Sequence, residues 1–283
     1  MNKFSIVFFL SLIFFTSANT LAQSDSIVLK DLTWDKASPA GSTELFIPSA
    51  NSQLAGLIYR ANGVQKHPTL LLLHGYPGNE RNLDMAQVVR AHGWNVIYFN
   101  YRGSWGSAGN FSFKNCVEDV VNVVSFCKKY QDSLKIDTSN IVLFGHSMGG
   151  WVCLKALQQA GIKKGFALST WNIGAGFKNV STEKEMLRRA NYAGSYFVLN
   201  TSLKDLFTPV IQDNAFFDLG NDGNSLVNKQ IIMLDEHPGN KQLADTIKDL
   251  NKSYFNYNVW QTDHSFTNKR VSLIKKVLEF LER

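Results

Sequence analysis

Four consecutive leucines, Leu70 to Leu73, follow Thr69 with no polar residue among them. A strand with one face in water alternates apolar and polar side chains. An unbroken run is what a strand needs when helices cover both of its faces. Similar runs recur at residues 95–100 (NVIYFN), 141–144 (IVLF), 165–168 (GFAL) and 230–234 (QIIML). Between them lie segments with a helical period. Residues 83–91 set Met85, Val88 and Val89 on one side, with Gly93 as a stop. Residues 115–130 place Val117, Val120, Val121, Val124 and Cys127 at spacings of three, four and seven, and residues 151–160 pack through Val152, Ala156 and Ala160. Strand and helix in alternation call for an α/β fold, a mostly parallel sheet with helices on both faces.

The ends of the pattern differ from its middle. Residues 44–47 and 54–59 are short strand candidates, and Asn62-Gly63 marks a turn, as in a β-meander. From residue 171 to about 226 the rhythm breaks into irregular helical patches rich in aromatics. Connections in compact domains are short, so this reads as an insertion forming a small helical lid. The alternation resumes with helices at 241–250 and 268–281 around a strand at 257–261. A chain of 283 residues suits one large domain built this way.

The first 22 residues read as an export signal. Lys3 gives a positive start, and the apolar stretch from Phe4 to Phe15 is short of the roughly 20 residues that span a bilayer. Thr20-Leu21-Ala22 offers small residues at the cleavage position, so the cut is placed after Ala22 and the mature domain covers 23–283, periplasmic or secreted and without stable membrane insertion. An uncleaved anchor is the alternative. Three cysteines remain in an exported chain: Cys116, Cys127 and Cys153. Cys116 and Cys127, 11 positions apart on one helix, would stand roughly 16 Å from each other, too far for a disulfide. They read as small buried hydrophobes. The net charge of +6 comes from scattered lysines and arginines, and no nucleic-acid motif is present. No metal-ligand spacing is present either.

Chemistry concentrates at Gly145-His146-Ser147-Met148-Gly149-Gly150, a G-x-S-x-G turn between a buried strand and a helix. Glycines there leave room for a sharp turn that thrusts the serine hydroxyl outward. A serine needs a base, and the base needs an orienting group. His264, in Thr262-Asp263-His264-Ser265-Phe266, follows the last strand and lies where a sheet's C-terminal edge would bring it to Ser147. His146 neighbours the serine but cannot easily turn back to it, and His67 and His92 read as structural. For the acid, Ser169-Thr170-Trp171-Asn172 offers no carboxylate. Asp235, directly after QIIML, is the first candidate and Glu236 the alternative; Asp263 adjoins the base and would point away from its ring. Two backbone N–H groups, from Tyr76 in His74-Gly75-Tyr76-Pro77-Gly78 and from Met148 at the helix start, are placed to form an oxyanion hole.

With these motifs and Asn100-Tyr101-Arg102-Gly103-Ser104-Trp105-Gly106-Ser107-Ala108-Gly109, the chain resembles the α/β-hydrolase superfamily from about Leu54 to Arg283. The Tyr-Arg-Gly stretch is similar to that of prolyl-oligopeptidase-like catalytic domains and small esterases. The resemblance implies a serine hydrolase with Ser147 as nucleophile, His264 as base, Asp235 as acid, Tyr76 and Met148 at the oxyanion, and no cofactor. Two departures stand out. No glycine separates the strand from Asp235, and fewer than about 50 residues lie between Ala22 and Thr69, with no room for a propeller. An esterase-like or small-amide hydrolase acting on a small-molecule ester, thioester or amide follows, its oligomeric state left open. The rival is a non-catalytic binding protein on the same scaffold, whose signature would be a missing acid. Trp171, Tyr192, Tyr196, Phe197, Phe207, Phe216 and Phe217 are candidates to line an acyl pocket, though such aromatics more often pack a lid onto its sheet.

Overall fold

Two nine-residue strands, β1 (Gly41–Ser49) and β2 (Ser52–Arg60), form a hairpin that turns through Ala50. The computed structural model describes residues 31–191 and 197–283, so the expected signal segment, Tyr192 and Tyr196 lie outside the described residues. Six further strands follow: β3 (His67–Leu73), β4 (Asn95–Phe99), β5 (Ile136–His146), β6 (Lys164–Leu168), β7 (Gln230–Asp235) and β8 (Tyr254–Val259). They make one sheet in the order β1-β2-β4-β3-β5-β6-β7-β8. The β1–β2 and β2–β4 pairings are antiparallel, and all the others are parallel.

The helices in chain order are α1 (Leu83–Ala91), α2 (Phe113–Lys129), α3 (Met148–Leu157), α4 (Ile173–Gly176), α5 (Glu183–Asn191), α6 (Leu203–Gln212), α7 (Asn214–Phe217), α8 (Lys241–Leu250) and α9 (Arg270–Glu282). Strand periodicity sorts the core into two layers. Leu70, Leu72, Val142, Phe144, Ile232 and Leu234 face α1 and α9. Leu71, Leu73, Leu143, Ile231 and Met233 face α2, α3 and α8. Each leucine of the 70–73 run is at most 2% exposed, the double-sided burial that the unbroken run implied. Helices α4 to α7 fill the interval between β6 and β7. Among the described residues no helix is long and apolar enough to cross a membrane.

Several boundaries differ from the sequence reading. α3 begins at Met148, because Gly149 and Gly150 lie inside its first turn and do not precede it. α2 begins at Phe113, capped by Ser112, whose side chain accepts from the Asn115 N–H at 3.1 Å. β8 starts at Tyr254 and stops short of Gln261, paired along all of β7 from Gln230↔Tyr254 to Asp235↔Val259. As an edge strand it carries Asn256 and Asn258, so no apolar run marks it.

After β4 the chain crosses back to place β5 on the other side of β3. The connections on the two sides of β3 thus diverge, leaving a crevice at the C-terminal ends of β3 and β5. A buried charge cluster ties the hairpin to this region. Fully buried Asp119 of α2 accepts from Arg102 Nε at 2.6 Å, Arg102 N at 2.8 Å and Ser49 Oγ at 2.5 Å. Removing one member of a buried pair strands the other charge. Asp119→Ala should therefore cost about 3–5 kcal/mol in urea unfolding. Glu118→Ala, which removes the half-exposed partner of Arg102, should cost at most about 1 kcal/mol.

Candidate active site

Ser147 caps β5 with φ 60° and ψ −119°, a conformation costly for any residue with a side chain. The surrounding glycines explain how it persists. A Cβ on Gly145 would strike the Gly149 carbonyl, and one on Gly149 would strike the carbonyls of Leu73 and His74. A Cβ on Gly150 would lie 2.6 Å from Thr170 Oγ1. Backbone bonds then lock the turn: Ser147 N–H donates to Leu168 O at 2.8 Å, and Trp171 N–H donates to Ser147 O at 3.1 Å. The hydroxyl caps no group of its own helix, so it is open to a partner across the crevice.

His264 rises from the loop between β8 and α9. Its Nδ1–H donates to Glu236 Oε1 at 2.7 Å. A carboxylate only accepts, so this bond fixes the tautomer and leaves the Nε2 lone pair for another partner. Ser169 Oγ donates to the second oxygen, Glu236 Oε2, at 2.6 Å. Burial opposes ionisation of Glu236, but the bonds from His264 and Ser169 outweigh it and hold the carboxyl down at about 2. The carboxylate on the histidine is thus Glu236 and not Asp235, the first candidate. Strand parity is the reason. Asp235 shares the face of Ile231 and Met233, whereas Glu236 continues the face of Ile232 and Leu234, which also holds Phe266 of the His264 loop. Asp235 accepts instead from Thr170 N at 3.2 Å and Asn240 Nδ2 at 3.1 Å. It is 1% exposed, and burial pushes its carboxyl up to about 6 against those hydrogen bonds. Asp263 turns away from the ring, accepting from Thr267 N at 2.7 Å.

Ser147, His264, Glu236 and Tyr76 line one cavity of about 500 Å³, together with Ser169, Thr170, Trp171, Asp235 and Asn240. The turn carrying Tyr76 packs directly on Ser147: a Cβ on Gly75 would lie 3.0 Å from Ser147 Cβ. Met148 is the first residue of α3, where N–H groups lack intrahelical acceptors. Of the candidate pocket aromatics in the described residues, Trp171 reaches the cavity. Phe207 and Phe217 are buried in the insertion, with Phe216 packed at their edge, and Phe197 is exposed. Among the described residues no group of three or more His, Cys, Asp or Glu is placed to hold a metal ion. All three cysteines are buried free thiols, and burial pushes each well above its ordinary value.

Sequence reasoning passed over three residues. Ser169 was set aside for lacking a carboxylate, yet it holds one. His146 extends beneath the His264 loop, its Nε2 bonded to the His264 carbonyl at 2.8 Å. Arg270 bonds the Ser265 carbonyl at 3.2 Å while pairing with Asp84 of α1. An alternating count along β5 from Val142 and Phe144 would have placed His146 on that face.

A sheet with this strand order, a strained serine at its crevice and a histidine on a carboxylate define the class. The chain belongs to the alpha/beta hydrolase family, whose profile matches residues 70–231, more than half of it. Among curated proteins it is 26% identical over 96 residues to the lysophosphatidylserine lipase ABHD12 of Gallus gallus, covering 33% of this chain and 24% of that protein. The match thus spans about a quarter of the length of that relative. Among solved structures it is similar to an esterase of Pyrococcus furiosus, with TM-score 0.63 and 18% identity over 89% of this chain and 94% of that one. It is also similar to the acylaminoacyl peptidase of Pyrococcus horikoshii, with TM-score 0.61 and 16% identity over 91% of this chain and 43% of that one. At such identities the structural likeness speaks for the fold alone.

The two neighbouring carboxylates should separate under mutation. Glu236→Gln should lower kcat on an activated ester by on the order of 100-fold or more, and Asp235→Asn by less than about tenfold. Their pH dependences should also oppose each other. Glu236 is held below its ordinary 4.5, so its contribution to stability is full above that pH and is lost as pH falls towards about 2. Asp235 is held above its ordinary 3.8, so its contribution is full below that pH and is lost as pH rises through about 6. Unfolding of the wild type and each variant across this range measures both slopes.

Proposed function

We propose that this protein is an exported serine hydrolase that cleaves small ester, thioester or amide bonds. One observation carries the reading: His264 donates its Nδ1–H to Glu236 while its ring and the strained Ser147 line the same cavity. A binding protein on this scaffold has no need of an ionised carboxylate orienting a histidine beside a strained serine, which weighs against the non-catalytic alternative.

Ser147 Oγ attacks the substrate carbonyl carbon, and His264 Nε2 takes the hydroxyl proton. Glu236, itself held by Ser169, stabilises the imidazolium that forms. Negative charge on the carbonyl oxygen is met by the N–H groups of Tyr76 and Met148. Collapse of the tetrahedral species passes the proton from His264 to the leaving group and leaves an acyl-Ser147. Water, deprotonated by the same imidazole, attacks that acyl group and frees the serine.

The cavity favours modest substrates. At about 500 Å³ it suits a small molecule. Its walls mix Tyr76 and Trp171 with Thr170, Asn240 and the two carboxylates. The insertion's phenylalanines fill one another's space: the Phe177 and Phe207 rings stack at 4.8 Å, and Phe217 stacks on Trp151 at 5.7 Å. A long acyl chain would find a mixed wall, with Thr170, Asn240 and two carboxylates set among Tyr76, Trp171 and Ala175, where it needs an apolar tunnel. On p-nitrophenyl esters, kcat/KM for acetate or butyrate should exceed that for palmitate by on the order of tenfold or more. A palmitate preference would remove this part of the reading.

The leader sequence supports export. A fluorophosphonate probe applied to fractions of expressing cells tests both parts together. The label should appear on Ser147, on chains outside the cytoplasm that begin at Gln23, and should vanish in Ser147→Ala. A folded wild-type chain that stays unlabelled would defeat the enzymatic reading, and label confined to full-length cytoplasmic chains would defeat export.

A further inference from the structure

We infer that His146 is a positioning residue for the base: its ring donates a hydrogen bond to the His264 main chain and so sets the imidazole of His264 against both Glu236 and Ser147. The inference rests on the serine-hydrolase reading and adds a residue to it.

His146 is the last residue of β5 and is 3% exposed. It follows Val142 and Phe144 onto the α1–α9 face of the sheet, opposite to the α3 helix that Ser147 begins. Its Nε2 lies 2.8 Å from the His264 carbonyl oxygen. A carbonyl can only accept, so Nε2 carries the proton. Nδ1 is then the lone-pair nitrogen, and it is buried without a hydrogen-bond partner among the described residues. The ring is therefore neutral, in keeping with burial and the neighbouring His264 pushing it down to about 4.

The bond matters because of what else restrains the loop. The His264 side chain is 54% exposed and is tied to Glu236 through its ring, while the other ties on the loop act beside its main chain: Arg270 bonds the Ser265 carbonyl, and Phe266 buries its ring. The bond from His146 fastens the His264 main chain to the sheet. It does so from the residue covalently joined to the nucleophile, so Ser147 and the base are referenced to the same short stretch of backbone. A displacement of 1 Å between reacting groups can cost about 100-fold in rate. A neutral donor suits the place, since a lysine or arginine would oppose the positive charge His264 acquires in each turnover. The two rings lie 4.9 Å apart, close enough for such a charge to be felt.

Replacing the donor while keeping the bulk tests this. In His146→Leu, kcat on p-nitrophenyl acetate should fall about 10- to 100-fold while KM stays within about twofold. The rate of fluorophosphonate labelling should fall with kcat. His146→Gln places an amide N–H where Nε2 stood and should recover kcat to within about fivefold. His146→Asn, whose amide stops at the Nδ1 position, replaces the leucine variant in the comparison if that one does not fold. Wild-type kcat in the donor-less variant, or equal losses in it and in His146→Gln, would overturn the positioning role. The serine-hydrolase reading fails separately, by absence of label on the wild type. In that event the proton NMR signal of His264 Nδ1–H decides the structural claim. It should stay sharp in the wild type and His146→Gln and broaden in His146→Leu, and its persistence unchanged in the latter would overturn the inference.

Discussion

Three backbone segments meet at Ser147 with no space between them for side chains. The β3 carbonyls crowd Gly149, the α3 backbone crowds Gly145, and Gly75 rests on Ser147 itself. This close approach forces the serine to a positive φ, aims its hydroxyl at the crevice and brings the turn of Tyr76 against it. A folded chain tolerates one such strained residue when the surrounding elements over-determine it. Here they do: β5 pairs with both β3 and β6, and the serine's own N–H and C=O are bonded to Leu168 and Trp171. The rest of the site is organised around this fixed point.

Much of this was legible in the amino-acid order because it depends on local signals. The leucine run at 70–73 announced a strand buried on both faces, and G-x-S-x-G after IVLF announced the turn. The carboxylate that meets His264 was harder to read. Distance from the strand end selected Asp235, but the deciding variable is which face of β7 a side chain leaves. Asp235 has the parity of Met233 and meets Asn240 and Thr170, whereas Glu236 has that of Leu234 and meets His264. Parity can be counted in a sequence, yet the face from which the histidine loop rises is a property of the assembled layers. The same count governs His146, which adjoins Ser147 in the chain yet points to the opposite side of the sheet.

Other features escaped because their signals are not local. Ser169 offers a hydroxyl where a carboxylate was sought, and its role exists only once β6 and β7 lie side by side in register, Leu168 against Leu234. The edge strand β8 takes its limits from the length of β7, and its own polar residues do not advertise it. Within the insertion, composition identified the aromatics, but packing decided among them. Phe207 and Phe217 turn inward around Phe113, with ring centroids 5.4 and 6.3 Å from it. Trp171, next to the anchored serine turn, is left to face the cavity.

The adjacent carboxylates show why environment outranks residue type. Asp235 and Glu236 are neighbours in sequence with similar intrinsic acidity, yet the fold separates them to about 6 and about 2. Burial acts on both. It prevails at Asp235 over the Asn240 amide, the Tyr257 hydroxyl and the Thr170 backbone amide, and it is overcome at Glu236, which receives an imidazole N–H and a hydroxyl. Near neutral pH Glu236 is ionised, so in the proposed mechanism it is charged when His264 takes up a proton and can attract the imidazolium. An acid with the value held by Asp235 would be partly protonated in mildly acidic solution and would weaken that attraction there. The side chain that parity turns towards the histidine is thus also the one whose ionisation is best protected.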